Sequence, residues 1–391
     1  MNITKLNLLN ESILNIASSA YDLGDGETML RVGFERIRDF EAAMASDGWQ
    51  IKKIYALGET TGTYYEKDGN GVYWYVNKSA KFAKGKPEDF TQAFGHAVIG
   101  AKLPVGDDGI GEAIYDDSLF YQFSNNMEGS GGMAYLLRMK DGSFIMIDGG
   151  HAIGAEGLLK AMAMLHPKAD ADKPYEISAW IVTHPHHDHT KILFDVMDNE
   201  EALAKLSIRR LIFNVPSANL LATRDTDVMA DTQKLRDTAE VLAAKGCDII
   251  KPYAGMSFRL GEFMMRIFYT AAEWATQPFV TVNDSSMVFT LDSPTSKKVM
   301  ILGDIMSRAG DYILKMYTRI PLHADIVQVA HHALYGPDFP LYETIAPSVC
   351  FWPIAPPGYA KYAHVIPRNN KLRRLGIPQY YAAFGDTTIT L

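Results

Sequence analysis

The chain has only two cysteines in 391 residues, Cys247 and Cys350. Two are too few for a disulfide framework, and neither stands in a C-x-x-C spacing, so any metal has to be held by histidine and carboxylate. Long apolar runs are missing as well; none approaches the ~18 residues of a membrane span. The first residues, MNITKLNLLNESILNIASS, carry one lysine and no apolar core of signal-peptide length, which reads as a cytoplasmic chain with no membrane partner. An excess of basic charge is also absent. Against 38 Lys and Arg stand 46 Asp and Glu, a net charge of −8. That balance disfavours nucleic acid as a partner, because the phosphate backbone rewards clustered lysine and arginine. No G-x-S-x-G elbow occurs, so nothing points to a serine nucleophile.

What is present is ample core material, 47% apolar against 21% charged, enough for one large domain and a smaller one. Residues 32–47 (VGFERIRDFEAAMASD) carry apolar side chains at helical spacing and end at Gly48, which predicts a helix. WQIKKIYAL (49–57), TGTYYEK (61–67) and GVYWYVN (71–77) read as strands, the last two joined by the turn KDGNG. The Gly- and Asp-rich stretch 106–118 is a boundary. Residues 1–117 are therefore expected to form a small α+β domain whose aromatic strand is a packing face, set against the rest of the chain or a homodimer partner. Beyond it, over 118–391, hairpins at 133–150 and 286–304 alternate with helices at 155–165 and 230–245. Buried strands at 176–184, 324–330 and 348–354 complete the pattern, so this part is an α/β domain with a two-sheet core flanked by helices.

The strand at 176–184 runs straight into THPHHDHT (183–190), with four histidines and an aspartate within six positions. In extended chain, alternate side chains share a face, so His184 and His186 are placed to meet one metal. Asp188 and His189 are adjacent where a helix (189–197) is expected to begin, and can serve a second metal. His187 points away from the alternating pair. A single histidine on an apolar face is usually structural; four at the end of a buried strand are a metal site.

This pattern resembles the metallo-β-lactamase superfamily of metal-dependent hydrolases, whose fold is an αββα sandwich. The resemblance implies further landmarks over residues 119–391. Asp148 in IMIDGG is the strand-end aspartate, Asp304 in VMILGD the carboxylate bridging two metals, and His331 in IVQVAHH the late ligand of the second metal. One landmark fails. The usual third histidine of the first metal should fall about 20 residues before the bridging aspartate, yet no histidine occurs between His189 and His323; Asn283 and Asp284 stand nearest. That variant, with VAHH and KYAH, resembles the branch containing the hydrolase domain of the competence DNA-uptake channel and the phosphorylcholine esterase of teichoic acid. In that branch Gly-Ser follows the His-His pair where this chain has Ala333 and Leu334. A histidine near His364 faces the metals in that branch, where it protonates the leaving group or binds phosphate; a loop histidine without a role is the alternative.

Two zinc ions are the implied cofactors, the first held more weakly, with manganese as the alternative given the carboxylate-rich shell. Such a pair acidifies a water held between the ions, and Asp188 and Asp304 orient it. Asp148 is expected to hydrogen-bond a ligand histidine and fix its tautomer. His332 is a neighbouring donor, or the ligand itself if the register moves by one, and Asn283 is a weak ligand or a water holder. Arg368, Arg373 and Arg374 bind an anion or form a solvated helix face. A small phosphoester, either diester or monoester, is the expected substrate. The implied superfamily members that cleave thioesters, β-lactams or lactones keep the third histidine, and oxygen-reducing members carry glutamate where this chain has His186. A metal-binding regulatory protein with a degenerate first site, and a nuclease, are the other readings.

Overall fold

A computed structural model describes residues 3–77, 94–106, 111–125, 132–151, 153–277 and 281–391. Part of the expected boundary, residues 107–110, lies outside them. Among the described residues the strands form three sheets.

The first is a six-stranded antiparallel sheet in which Asn70–Asn77 lies between Thr60–Lys67 and Phe94–Ile99, and Glu27–Gly33 and Ser19–Gly24 extend it. Alternation sorts its residues. Val72, Trp74 and Val76 face the helix Ile37–Ser46, where Phe40 stacks on Trp74. Tyr73 and Tyr75 face the rest of the molecule in one continuous core, and the Tyr73 hydroxyl donates to the carbonyl of Ala254 at 3.0 Å. The helix expected over 32–47 begins later, at Ile37, because Val32 and Gly33 pair in the sheet with Gly95 and Phe94. Cross-strand pairing there overrides the local helical period.

The other two sheets are stacked as a sandwich. One contains Phe144–Asp148, Tyr175–Val182 and Arg210–Phe213 in parallel, flanked by the antiparallel strands Ala134–Arg138 and Leu119–Gln122 and the C-terminal Thr387–Thr390. The other contains Phe263–Tyr269, Val288–Asp292, Lys298–Ile301, Ile326–Gln328 and Val349–Trp352. Ile145, Ile147, Ile181 and Ile212 meet Ile267, Phe289, Val299 and Ile301 between the sheets. Their chain neighbours Phe144, Met146, Trp180 and Val182 face the helices Gly154–Leu165 and His187–Met197 instead, and Met300, Leu302 and Val327 face Ser307–Met316. Strands with apolar residues on both faces lie between layers, which is why they read as unbroken hydrophobic runs. Each such side chain contributes about 1.5–3 kcal/mol by leaving water. The result is the αββα metallo-β-lactamase architecture. Among the described residues, no helix is long and apolar enough to cross a membrane.

Candidate metal centre

The polar residues of interest sit where strands end. Asp148 closes Phe144–Asp148, Thr183 and His184 follow Tyr175–Val182, Gly303 and Asp304 follow Lys298–Ile301, and His331 and His332 follow Ile326–Gln328. These four strands run parallel within their sheets, so their carboxyl ends emerge on one edge of the sandwich. His186 caps the helix His187–Met197 in extended conformation, which places Asp188 in the first turn, where the helix dipole favours a carboxylate.

A chain of hydrogen bonds orients the imidazoles. Asp148, fully buried, accepts from the Thr183 amide at 2.6 Å, the Thr183 hydroxyl at 2.7 Å and His189 Nδ1 at 2.6 Å. With its one proton given to Asp148, the Thr183 hydroxyl oxygen accepts from His184 Nδ1, 3.2 Å away. His332 Nδ1 donates to the carbonyl of Pro353 at 3.1 Å. All three rings thus place Nδ1 on an outer partner and leave Nε2 for the centre, the arrangement that outer partners impose on metal-binding histidines.

Two groups of donors follow. Ligand atoms of Asp188, His189 and His332 lie within 4.8 Å of one another, as do those of His184, His189 and Asp304. His332 Nε2 is 3.2 Å from both Asp188 Oδ2 and Asp304 Oδ2, and His189 Nε2 is 3.3 Å from both Asp304 Oδ2 and His332 Nε2. His189 Nε2 stands 3.9 Å from Asp188 Oδ1. Ligands on tetrahedral zinc with bonds near 2.0–2.1 Å lie about 3.4 Å apart, so Asp188, His189 and His332 fit one ion, with Asp304 Oδ2 beside the same two imidazoles. Asp304 Oδ1 points elsewhere, buried and without a hydrogen-bond partner among the described residues. A buried carboxylate oxygen without a partner is costly, and a carboxylate shared between two ions removes that cost.

Electrostatics agree with the donor set. Burial opposes charge on His189, yet Asp304, Asp148 and Asp188 outweigh it and raise its pKa well above the usual range. Burial likewise opposes charge on His332, but Asp304 and a hydrogen bond to Asp188 push its pKa up to about 10. Burial works against ionised Asp304, and His332 and His189 reverse this and hold its pKa well below the usual carboxylate range. Such a cluster calls for positive charge, which a divalent cation supplies in exchange for the protons.

The adjoining group is poorer. His184 Nε2 is 2.9 Å from His186 Nδ1, and burial keeps His184 neutral by lowering its pKa well below normal. Where the third histidine would stand, Asn283 Nδ2 is 3.5 Å from His331 Nε2, which is 3.9 Å from Asp304 Oδ2. Asn283 Oδ1 and His331 Nδ1 are both buried without hydrogen-bond partners among the described residues. Asp284 is occupied otherwise. It accepts from the amides of Met306 at 2.7 Å and Ala309 at 3.4 Å, and burial raises its pKa to about 6.

Three expectations change. The residue brought together with Asp188 and His189 is His332, not His331. The reason is backbone conformation: His331, His332 and Ala333 have φ of 52°, 50° and 61°, a left-handed run that turns His332 inward and His331 toward Asn283. Each such residue costs ~1–2 kcal/mol, and the run is held by Arg368 and Asn369, which donate to the carbonyl of Ala333 at 3.3 and 2.7 Å. Arg368 is accordingly a buried clamp, neither an anion site nor a solvated face. His364 is not brought into the cluster; it is exposed, pairs with Arg373 and packs against Tyr359 with ring centroids 5.5 Å apart. His187 is exposed and tilts against His151 at 4.9 Å. Sequence reasoning missed Thr183, Ser286 and Gly303. Gly303 has φ of 56°, and a Cβ there would come within 2.8 Å of Ser286 Cβ, while Ser286 Oγ accepts from the Asp304 amide at 3.0 Å. The Thr before the histidines was the one visible signal among them.

Residues 127–199 match the family model described as Metallo-beta-lactamase superfamily. That segment holds the histidine cluster, and with the observed fold it supports membership of the superfamily. No curated protein matches significantly. Among solved structures, CmlA, a diiron beta-hydroxylase from Streptomyces venezuelae, is similar over 82% of this chain and 69% of its own, at 11% identity and a TM-score of 0.40. The metallo-beta-lactamase fold protein YhfI from Bacillus subtilis is similar over 69% of this chain and 99% of its own, at 11% identity and a TM-score of 0.39. A long form RNase Z from yeast is similar over 60% and 37%, at 9% identity and a TM-score of 0.34. Likenesses at this level assign neither chemistry nor substrate.

Proposed function

We propose that this chain is a metal-dependent phosphoester hydrolase, acting on a small phosphodiester or phosphomonoester, with zinc as the resident metal and manganese as the alternative. The observation that carries this reading is the asymmetry of the centre: the group Asp188, His189 and His332 beside the group His184, His189 and Asp304, next to which Asn283 and His331 stand 3.5 Å apart. A pair of divalent ions supplies Lewis acidity and a water acidified toward neutrality. Asp188, His189 and His332 would hold one ion, and His184, with His186 and Asp304 beside it, would hold the other. Asp188 and Asp304 also orient the attacking water and accept its hydrogen bonds. Asp148 keeps His189 in its working tautomer. The quarter by Asn283 is short of a donor, and phosphoryl oxygens there would meet the Asn283 amide and the His331 ring, 3.5 Å apart; burial lowers the His331 pKa. The negative net charge favours a small substrate over a polymer.

Metal analysis of the purified protein, alongside hydrolysis of p-nitrophenyl phosphate and bis-p-nitrophenyl phosphate with added Zn²⁺ or Mn²⁺, tests this. About two metals per chain and turnover that His184→Ala abolishes are expected. Less than one metal per chain and no turnover would overturn it in favour of a regulatory metal-binding protein, and metal-dependent cutting of single-stranded DNA would favour a nuclease.

A further inference from the structure

Beside the open quarter of the centre stands a wall that the hydrolytic chemistry does not use. Tyr335 is 58% exposed, unusual for so large a ring, and its centroid lies 5.6 Å from that of His331. Tyr362 follows at 6.5 Å from Tyr335, and Lys361 Nζ lies 4.9 Å over the Tyr362 ring. The two tyrosines come from segments far apart in their turn structure, yet both segments are tied to one buried clamp. Asn369 Nδ2 donates to the carbonyl of Ala333 at 2.7 Å and to the carbonyl of Tyr362 at 3.1 Å. Arg368 donates to Ala333 at 3.3 Å and to Pro337 at 3.4 Å. Gly336, at φ of 136°, lets the chain turn so closely that a Cβ would meet Arg368 Nη1 at 3.1 Å.

Exposed aromatic side chains ordinarily gain little from being fixed. Here an arginine and an asparagine, both buried, hold the backbone beside exposed Tyr335 and partly buried Tyr362, next to the His331 and Asn283 side chains. Fixed aromatic faces recognise flat rings by stacking, without regard to the hydrogen-bonding edge, and a nearby cation adds attraction for the anion attached to such a ring. We infer that Tyr335 and Tyr362 form a seat for a planar aromatic group one bond or two from the phosphorus, so that the substrate class is an aryl or nucleoside phosphoester rather than an alkyl one. This rests on the phosphoester reading for its chemistry.

Binding rather than turnover separates the two. Phenylphosphonate and methylphosphonate are titrated calorimetrically into the metal-loaded protein. Phenylphosphonate is expected to bind about tenfold more tightly. The ratio should fall to within about twofold in Tyr335→Ala and return in Tyr335→Phe. Equal affinities in the unmodified protein, or a tenfold ratio that survives in Tyr335→Ala, would overturn the seat whatever the turnover results. Turnover is then compared for methyl, phenyl and thymidine 5′ esters of p-nitrophenyl phosphate, which share one leaving group. Because the p-nitrophenyl group is itself an aryl ring, the comparison is read in Tyr335→Ala. A KM that rises there supports the seat, the ester most affected distinguishes an aryl from a nucleoside source, and KM values unchanged in Tyr335→Ala for all three count against it. Loss of all turnover with the binding ratio intact would remove the hydrolase reading alone.

Discussion

The two halves of the metal centre share Asp304 and lie within a few ångströms of each other, yet they are built differently. On one side Asp188, His189, His332 and Asp304 come together at 3.2–3.9 Å, and His189 and His332 are each fixed by a hydrogen bond on the far ring nitrogen. On the other, His184 stands 2.9 Å from His186 and Asn283 stands 3.5 Å from His331, and Asn283 Oδ1 and His331 Nδ1 are buried without hydrogen-bond partners among the described residues. The lesson concerns how tightly each half binds and where substrate enters. Donors whose rings are fixed from behind hold an ion firmly, whereas a half short of a donor keeps positions open, as catalytic rather than structural coordination requires.

The largest effect expected is on the complete half. His332→Ala should lose about one metal per chain and about 10³-fold in turnover, whereas His331→Ala should retain the tight metal and lose about tenfold. Elemental analysis and kinetics of the two variants decide between them; the reverse order would restore the ligand expected from sequence and break the comparison. Next comes Asp148→Asn, which keeps the shape but weakens the hold on His189. Metal affinity should fall about 10–100-fold, read by competition with a chelator, with Thr183→Val acting in the same direction. On the poorer half, Asn283→His adds the absent donor. It should tighten the weaker metal, raising occupancy at limiting zinc, while lowering turnover several-fold because the open quarter closes.

The smallest effect sharpens the contrast from outside the centre. His96 is also buried, but no carboxylate offsets its burial, and together with the nearby Arg31 charge this lowers its pKa to about 3. His189 and His332, among three aspartates, move the opposite way. Above about pH 6.5 His96 is neutral in folded and unfolded chains alike and contributes no pH dependence. As pH falls from 6.5 toward 3, the unfolded chain takes up a proton that the folded one refuses, so stability declines. The loss is about 2 kcal/mol at pH 5. Melting temperatures of His96→Phe and the unmodified chain, compared between pH 7 and pH 4, should converge at low pH; parallel curves would count against a neutral buried His96.

Much of this was legible before the fold was seen. Strand runs such as IMID and IVTH announce themselves because both faces are covered, and the spacing His184-x-His186-x-Asp188-His189 follows from extended chain passing into a helix. Other features were opaque for identifiable reasons. Sheet pairing claimed Val32 and Gly33, although their period continued into the helix behind them. His331 and His332 are neighbours of identical type, so nothing in the letters says which one turns inward. Arg368 looked like surface charge, and its burial depends on carbonyls supplied by Ala333 and Pro337 more than 30 residues away.

The sequence by itself therefore determined the α/β class, the strand-end positions of the polar residues and the chemical type of the donors. These rest on local periodicity and on side-chain chemistry, which do not depend on distant contacts. Only the tertiary structure decided that His332 joins Asp188 and His189, that His364 stays outside the cluster, and that the backbone carbonyls near Tyr335 and at Tyr362 are tied to one asparagine. Those outcomes depend on left-handed backbone and buried hydrogen bonds between segments far apart in the chain, which no local pattern encodes.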